Sequence, residues 1–158
     1  MTLDASVYCR CFEDGSMKSP PDPWQIEVCH ETGCRELANA REYSLDEEIR
    51  FDDWNVTACD HEDGIAMHVF LGNITAVANI RGLLRSLMPP GSLLVEAVFY
   101  DGMHSGDQIK VDDLDPLRNE VAFVLPRLND DGARFRPLLE KFEQLIGLAL
   151  ELPRPIVF

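Results

Sequence analysis

Residues 133–151, ARFRPLLEKFEQLIGLALE, set Phe135, Leu138, Leu139, Phe142, Leu145, Ile146 and Ala149 at helical spacing. An α-helix turns about 100° per residue, so these side chains form one continuous apolar stripe. A helix with one such face must bury it against a second layer, which excludes an extended or fibrous chain. Pro153 and Pro155 stop the helix, and PIVF at 155–158 reads as a short final strand.

Three other segments carry the same period. GNITAVANIRGLLRSL, 72–87, has Asn73 as N-cap and Val77, Ile80, Leu84 and Leu87 on one face, ending at Met88-Pro89-Pro90-Gly91. Residues 112–127 place Leu117, Val121, Val124 and Leu125 together, with Asp112 or Asp115 as cap and Pro116 in the first turn. Ser44 and Glu47 match a capping box, and Phe51, Trp54 and Ala58 continue that helix to about Cys59.

Strand signals fill the remainder. SVYCRCF (6–12) and WQIEVC (24–29) alternate, with SPPDP (19–23) as an extended connection and Gly33 available for a hairpin returning through 35–38. GIAMHVFL (64–71) and LLVEAVFY (93–100) are apolar on both faces and read as buried strands. A right-handed helical crossover between them makes them parallel neighbours. The length predicts one globular domain, 1–158. The fold class expected is α/β of the α+β kind, with a mixed, partly antiparallel sheet and packed helices.

Lys and Arg total 14 against 28 Asp and Glu, a net charge of −14. Such a chain repels phosphate backbones, which argues against direct nucleic-acid binding, and it attracts basic partners. No basic leader or membrane-length apolar run is read, so a cytoplasmic protein with reduced thiols is expected.

Phosphate loops, G-x-G-x-x-G, G-x-S-x-G and H-E-x-x-H are absent, which removes the common enzyme assignments. Cys9-x-Cys11, Cys29-His30 with Cys34, and Cys59-x-His61 supply enough thiolate and imidazole for tetrahedral zinc. Only Cys29 and Cys34 have knuckle-like separation; Cys9 and Cys11 are expected on one face of a strand, and core packing accounts for Cys9, Cys11 and Cys59. No cofactor and no metal are therefore expected, with Cys59 and His61 as the alternative metal pair.

His104 lies in DGMHSGD, 101–107, a glycine-rich loop leaving a run read as a buried strand. Loops in that position hold ligands in many α/β folds, and Asp107 could orient the imidazole, which gives the alternative of a small hydrolase or transferase, zinc-dependent in one form. His68 falls inside a strand pattern and is expected to be a core or interface residue.

The acidic segment is the most specific feature. Asp46, Glu47, Glu48, Asp52, Asp53, Asp60, Glu62 and Asp63 fall between 46 and 63, opposed only by Arg50. Asp46, Glu47 and Glu48 suit a helix N-terminus, whereas Asp60, Glu62 and Asp63 oppose the dipole at its other end. A local cost without local gain points to a use elsewhere, such as meeting a basic surface. Trp54 reads as a core residue, with an interface anchor as the alternative.

Size, the α/β pattern and the run LDEEIRFDDWNVTACDHEDG resemble small acidic bacterial immunity proteins of polymorphic toxin systems. The resemblance implies a non-catalytic, stoichiometric inhibitor that covers a basic toxin, either a nuclease or a nucleotide-consuming enzyme, with the eight acids as partner-binding residues. No catalytic residue follows from it.

Overall fold

The computed structural model describes residues 2–100, 104, 106–129 and 132–158. Four strands, β1 (Thr2–Tyr8), β4 (Ile65–Asn73), β5 (Gln108–Ile109) and β6 (Ile156–Val157), form a sheet in the order β4-β1-β6-β5. Every pairing in it is antiparallel. A separate hairpin joins β2 (Ile26–Val28) to β3 (Arg35–Leu37). The helices are α1 (Leu45–Thr57), α2 (Ile74–Leu87), α3 (Val111–Val124) and α4 (Arg136–Glu151). This is the expected α+β class, an antiparallel sheet with packed helices.

Alternation along β1 sends Leu3, Ala5 and Val7 to the buried face. There they join Val69 and Leu71 of β4, Val77, Ile80 and Leu84 of α2, and Leu139, Phe142, Leu145, Ile146 and Ala149 of α4. The α4 stripe read from the sequence is thus the centre of the core. α3 packs on α4 through Leu114, Leu117, Val121 and Val124.

Three expectations change. Residues 93–100 are not a strand: Leu94–Val98 form a π-helical turn that buries Leu94, Val95 and Val98. Its start is fixed by Glu120 of α3, whose carboxylate accepts from Ser92 Oγ at 2.8 Å and from the Leu93 and Leu94 amides at 3.0 and 2.9 Å. A short apolar run has no period of its own, and this carboxylate makes the helical option the satisfied one. The expected parallel pair is therefore absent.

Second, β4 is an edge strand with one face covered; Phe70 is 53% exposed. His68 is correspondingly on the open face, 3.1 Å from Asp4 Oδ1, and not in the core. Third, α3 begins after Lys110 without a side-chain cap, so Pro116 lies in its second turn and not its first.

The hairpin and α1 make a thin side layer with its own core of Trp24, Leu37 and Phe51. Trp24, Phe51 and Trp54 pack as an aromatic triad with centroids 5.7 to 6.0 Å apart, which gives Trp54 the core role. No helix among the described residues is long and apolar enough to cross a membrane.

Candidate functional site

Two features stand where the side layer meets the sheet and the solvent. The first is built at the end of β1. That strand stops at Tyr8, earlier than the 6–12 expected, and Cys11 falls in a turn closed by Ser16, whose amide donates to the Cys11 carbonyl at 2.9 Å. Tyr8 pairs with Ile65, and the Cys9 amide donates to the Gly64 carbonyl at 2.8 Å, so the antiparallel register continues past the sheet. That register brings residues 9–11 beside the segment joining α1 to β4, which carries Cys59 and His61.

The result is a four-residue cluster. Cys9 Sγ lies 3.8 Å from Cys59 Sγ, and Cys11 Sγ lies 3.3 Å from His61 Nδ1. All four ligand atoms are within 4.8 Å of one another. Core packing holds as an account of Cys9, which is buried, and fails for Cys11 and Cys59, which are half-buried. His61 faces the thiols and is no simple member of an acidic surface.

Burial and the neighbouring thiols push Cys9 up to about 12. Burial also opposes ionisation of Cys59, but donation from Arg35, His61 and Cys9 outweighs it and brings Cys59 down to about 7.

Arg35 is the unusual neighbour. Only 8% exposed, it sends Nη1 towards Met17 Sδ (3.0 Å) and Cys59 Sγ (3.6 Å), and Nη2 to the Asn55 carbonyl (3.2 Å). Gly64, at φ +72°, lies under the guanidinium, where a Cβ would collide with it. Among the described residues no carboxylate pairs with this buried cation. A buried charge without a counter-charge is costly.

Cys29 and Cys34 face each other across the hairpin turn, with Glu36 within ligand distance. Thr32 Oγ1 donates to Cys34 Sγ at 2.9 Å, and His30 is exposed. Cys29 is lowered chiefly by hydrogen bonds from Thr32, and Cys34 is raised chiefly by burial. This group has three donors, one of them an exposed carboxylate.

The second feature is the outer face of α1. Leu45, Ile49 and Val56 fall on one stripe opposite Phe51 and Trp54, and are 70%, 50% and 41% exposed. Asp46 and Asp53 flank the stripe on one side, Glu48 and Asp52 on the other. The four carboxylates take no ion pair or side-chain hydrogen bond from any described residue. Glu48 and Asp52 are like charges at i, i+4, a local cost of about 0.2–0.5 kcal/mol.

Glu47 is used differently. Its carboxylate accepts from the Ser44 amide at 2.8 Å and the Ser44 hydroxyl at 2.7 Å, completing the capping box. A shallow depression at this end is lined by Ser44, Asp46, Glu47, Ile49 and Arg50. Asp60, Glu62 and Asp63 are exposed beside the cysteine cluster. The carbonyls at the end of α1 that they would oppose are covered by Lys18, whose amide donates to Ala58 O at 2.8 Å and whose ammonium donates to Thr57 O at 2.7 Å.

His104 is buried, its ring 4.0 Å from that of Tyr100 and 6.0 Å from that of Phe158. Its Nε2 meets the Tyr100 carbonyl at 3.2 Å, and Nδ1 has no hydrogen-bond partner among the described residues. Asp107 accepts from the Tyr100 hydroxyl, which raises the Tyr100 pKa, and no described bond joins the Asp107 carboxylate to the imidazole. Asp101, Gly102, Met103 and Ser105 of the expected ligand loop lie outside the described residues.

No protein-family model, curated protein or solved structure matches the chain.

Proposed function

We propose that the protein is a non-catalytic binding protein that docks the outer face of α1 on a basic protein partner. The observation that carries this reading is the exposed Leu45–Ile49–Val56 stripe flanked by four carboxylates that have no ion-pair or side-chain hydrogen-bond partner among the described residues. Apolar anchors ringed by polar groups are the usual anatomy of a protein interface, and the acidic rim selects a basic surface. Asp60, Glu62 and Asp63 extend the acidic edge beyond the helix; Glu47 contributes through the cap.

In its finer form, resting on the resemblance to immunity proteins, the partner is a cognate toxin, a nuclease or nucleotide-consuming enzyme, inhibited one to one in the cytoplasm. Carboxylates would occupy positions that substrate phosphates take, and a net charge of −14 would speed encounter.

The test has two stages. Tagged protein recovered gently from its own host is weighed intact, and a 1:1 complex with a basic protein is expected. Stopped-flow association of that pair is then followed against salt, with Asp46, Glu48, Asp52 and Asp53 each changed to Lys in one variant. Association is expected to slow with added salt and in the variant, and Ile49→Ala to speed dissociation. Salt-insensitive association with the variant unchanged overturns the reading.

A further inference from the structure

We propose that Cys9, Cys11, Cys59 and His61 form a structural zinc site, with three thiolates and His61 Nδ1 as ligands and Arg35 as the buried counter-charge. This goes beyond the binding role of α1 and does not depend on it.

The geometry fits the ion. Tetrahedral zinc with Zn–S near 2.3 Å and Zn–N near 2.05 Å has S···S edges of about 3.8 Å and S···N edges of about 3.6 Å. The cluster shows 3.8 Å for Cys9 to Cys59 and 3.3 Å for Cys11 to His61. The remaining pairs lie within 4.8 Å, and binding requires them to close onto the same edges. Three thiolates and one imidazole favour zinc over the hard cations, which select oxygen ligands. Four protein ligands close the shell, which is the pattern of a structural site and not a catalytic one.

Arg35 supplies the independent observation. Three thiolates and one neutral imidazole around a divalent ion carry one net negative charge. The guanidinium, 8% exposed and without a carboxylate among the described residues, points a nitrogen at Cys59 Sγ. The zinc–thiolate centre, with its net negative charge, compensates that cation. On binding, each thiol releases its proton to solvent and its sulfur lone pair forms the bond to zinc, with no change of oxidation state.

Placement gives the site its purpose. Cys9 and Cys11 continue from the sheet, whereas Cys59 and His61 follow the last turn of α1, so the ion would pin the thin side layer to the main core.

The full chain, expressed with zinc and purified without chelator, is weighed under native conditions, and cobalt is exchanged for zinc for absorption spectroscopy. One equivalent of zinc and the intense visible bands of tetrahedral cobalt–thiolate are expected. Cys11→Ser and His61→Ala are expected to lose the metal, while Cys34→Ser retains it; circular dichroism establishes that each variant is folded. A measurement without variants accompanies these: modification of the wild-type thiols is expected to release zinc in step with three of them. Wild-type protein that takes neither metal, a Cys9–Cys59 disulfide in fresh protein, or metal lost from Cys34→Ser but kept by Cys11→Ser overturns the proposal.

Discussion

The sheet with α2, α3 and α4 and the side layer of β2, β3 and α1 are held together by different means. Among the described residues the first buries twenty-four apolar side chains in one cluster, and the second buries three. Each fully buried large apolar side chain contributes about 1.5–3 kcal/mol, so the main core is self-sufficient while the side layer is not. The side layer instead gathers aromatic stacking, a buried arginine and the Cys9–Cys11–Cys59–His61 cluster. Small units that lack apolar mass commonly rely on metals or disulfides. The outer face of α1, proposed above to dock a partner, is on this weaker layer, which would give the proposed zinc site a functional reason: a docking helix must be held still to be pre-organised.

The comparison breaks most visibly through the main core. Phe142, fully buried with Phe99 edge-on at 6.4 Å, is expected to cost about 3–5 kcal/mol when changed to Ala. Thermal melting should then show both layers unfolding together at a lower temperature. A variant that lost only the side layer would reverse the assignment of which layer supports the other.

Removing metal should act the other way round. With a strong chelator, hydrogen exchange is expected to accelerate in α1 and the β2–β3 hairpin while amides of β4 and α4 keep their protection. Acceleration spread evenly over both layers would mean that the cluster does not staple them.

Arg35→Lys sharpens the same point. Lysine keeps the charge but cannot reach Met17, Cys59 and the Asn55 carbonyl as a fork, and loss of such an outer partner weakens metal binding about 10–100-fold. Competition with a calibrated zinc indicator reads this directly; unchanged affinity would remove Arg35 from the site.

The smallest effect is the pH dependence of the α1 cap. The Ser44 amide, and after it the Ser44 hydroxyl, holds the Glu47 carboxyl below its ordinary 4.5. A depressed folded value means the cap's contribution is present above the unfolded pKa and is lost as pH falls through the folded one. The Ser44 amide resonance is expected to shift in that acid window and to stay flat in Glu47→Gln.

How much of this was legible differs between elements. The α4 stripe, the Asn73 cap of α2 and the Ser44–Glu47 box are local: each involves residues within a few positions, where helical period and amide donors impose the answer. The run 93–100 reads as a strand because its apolar residues satisfy strand and helix alike. The spacing of Leu94, Val95, Val98 and Phe99 behind Ser92 is the available signal, and Glu120, 26 to 28 positions from the groups it holds, decides it. The sequence expectation has Asp107 orienting the His104 imidazole; in the structure the Asp107 carboxylate accepts from the Tyr100 hydroxyl and His104 Nε2 meets the Tyr100 carbonyl.

The sequence by itself determined the α+β class, the amphipathic helices, the acidic charge and the outward-facing acids of α1, because period, composition and capping are properties of short stretches. Only the tertiary structure decided that Cys9 and Cys11 meet Cys59 and His61, some fifty residues on. Neither pair has knuckle spacing alone. The antiparallel register from Tyr8–Ile65 through Cys9–Gly64 brings them together, and that register is set by burying one face of β1 and β4 under α2 and α4.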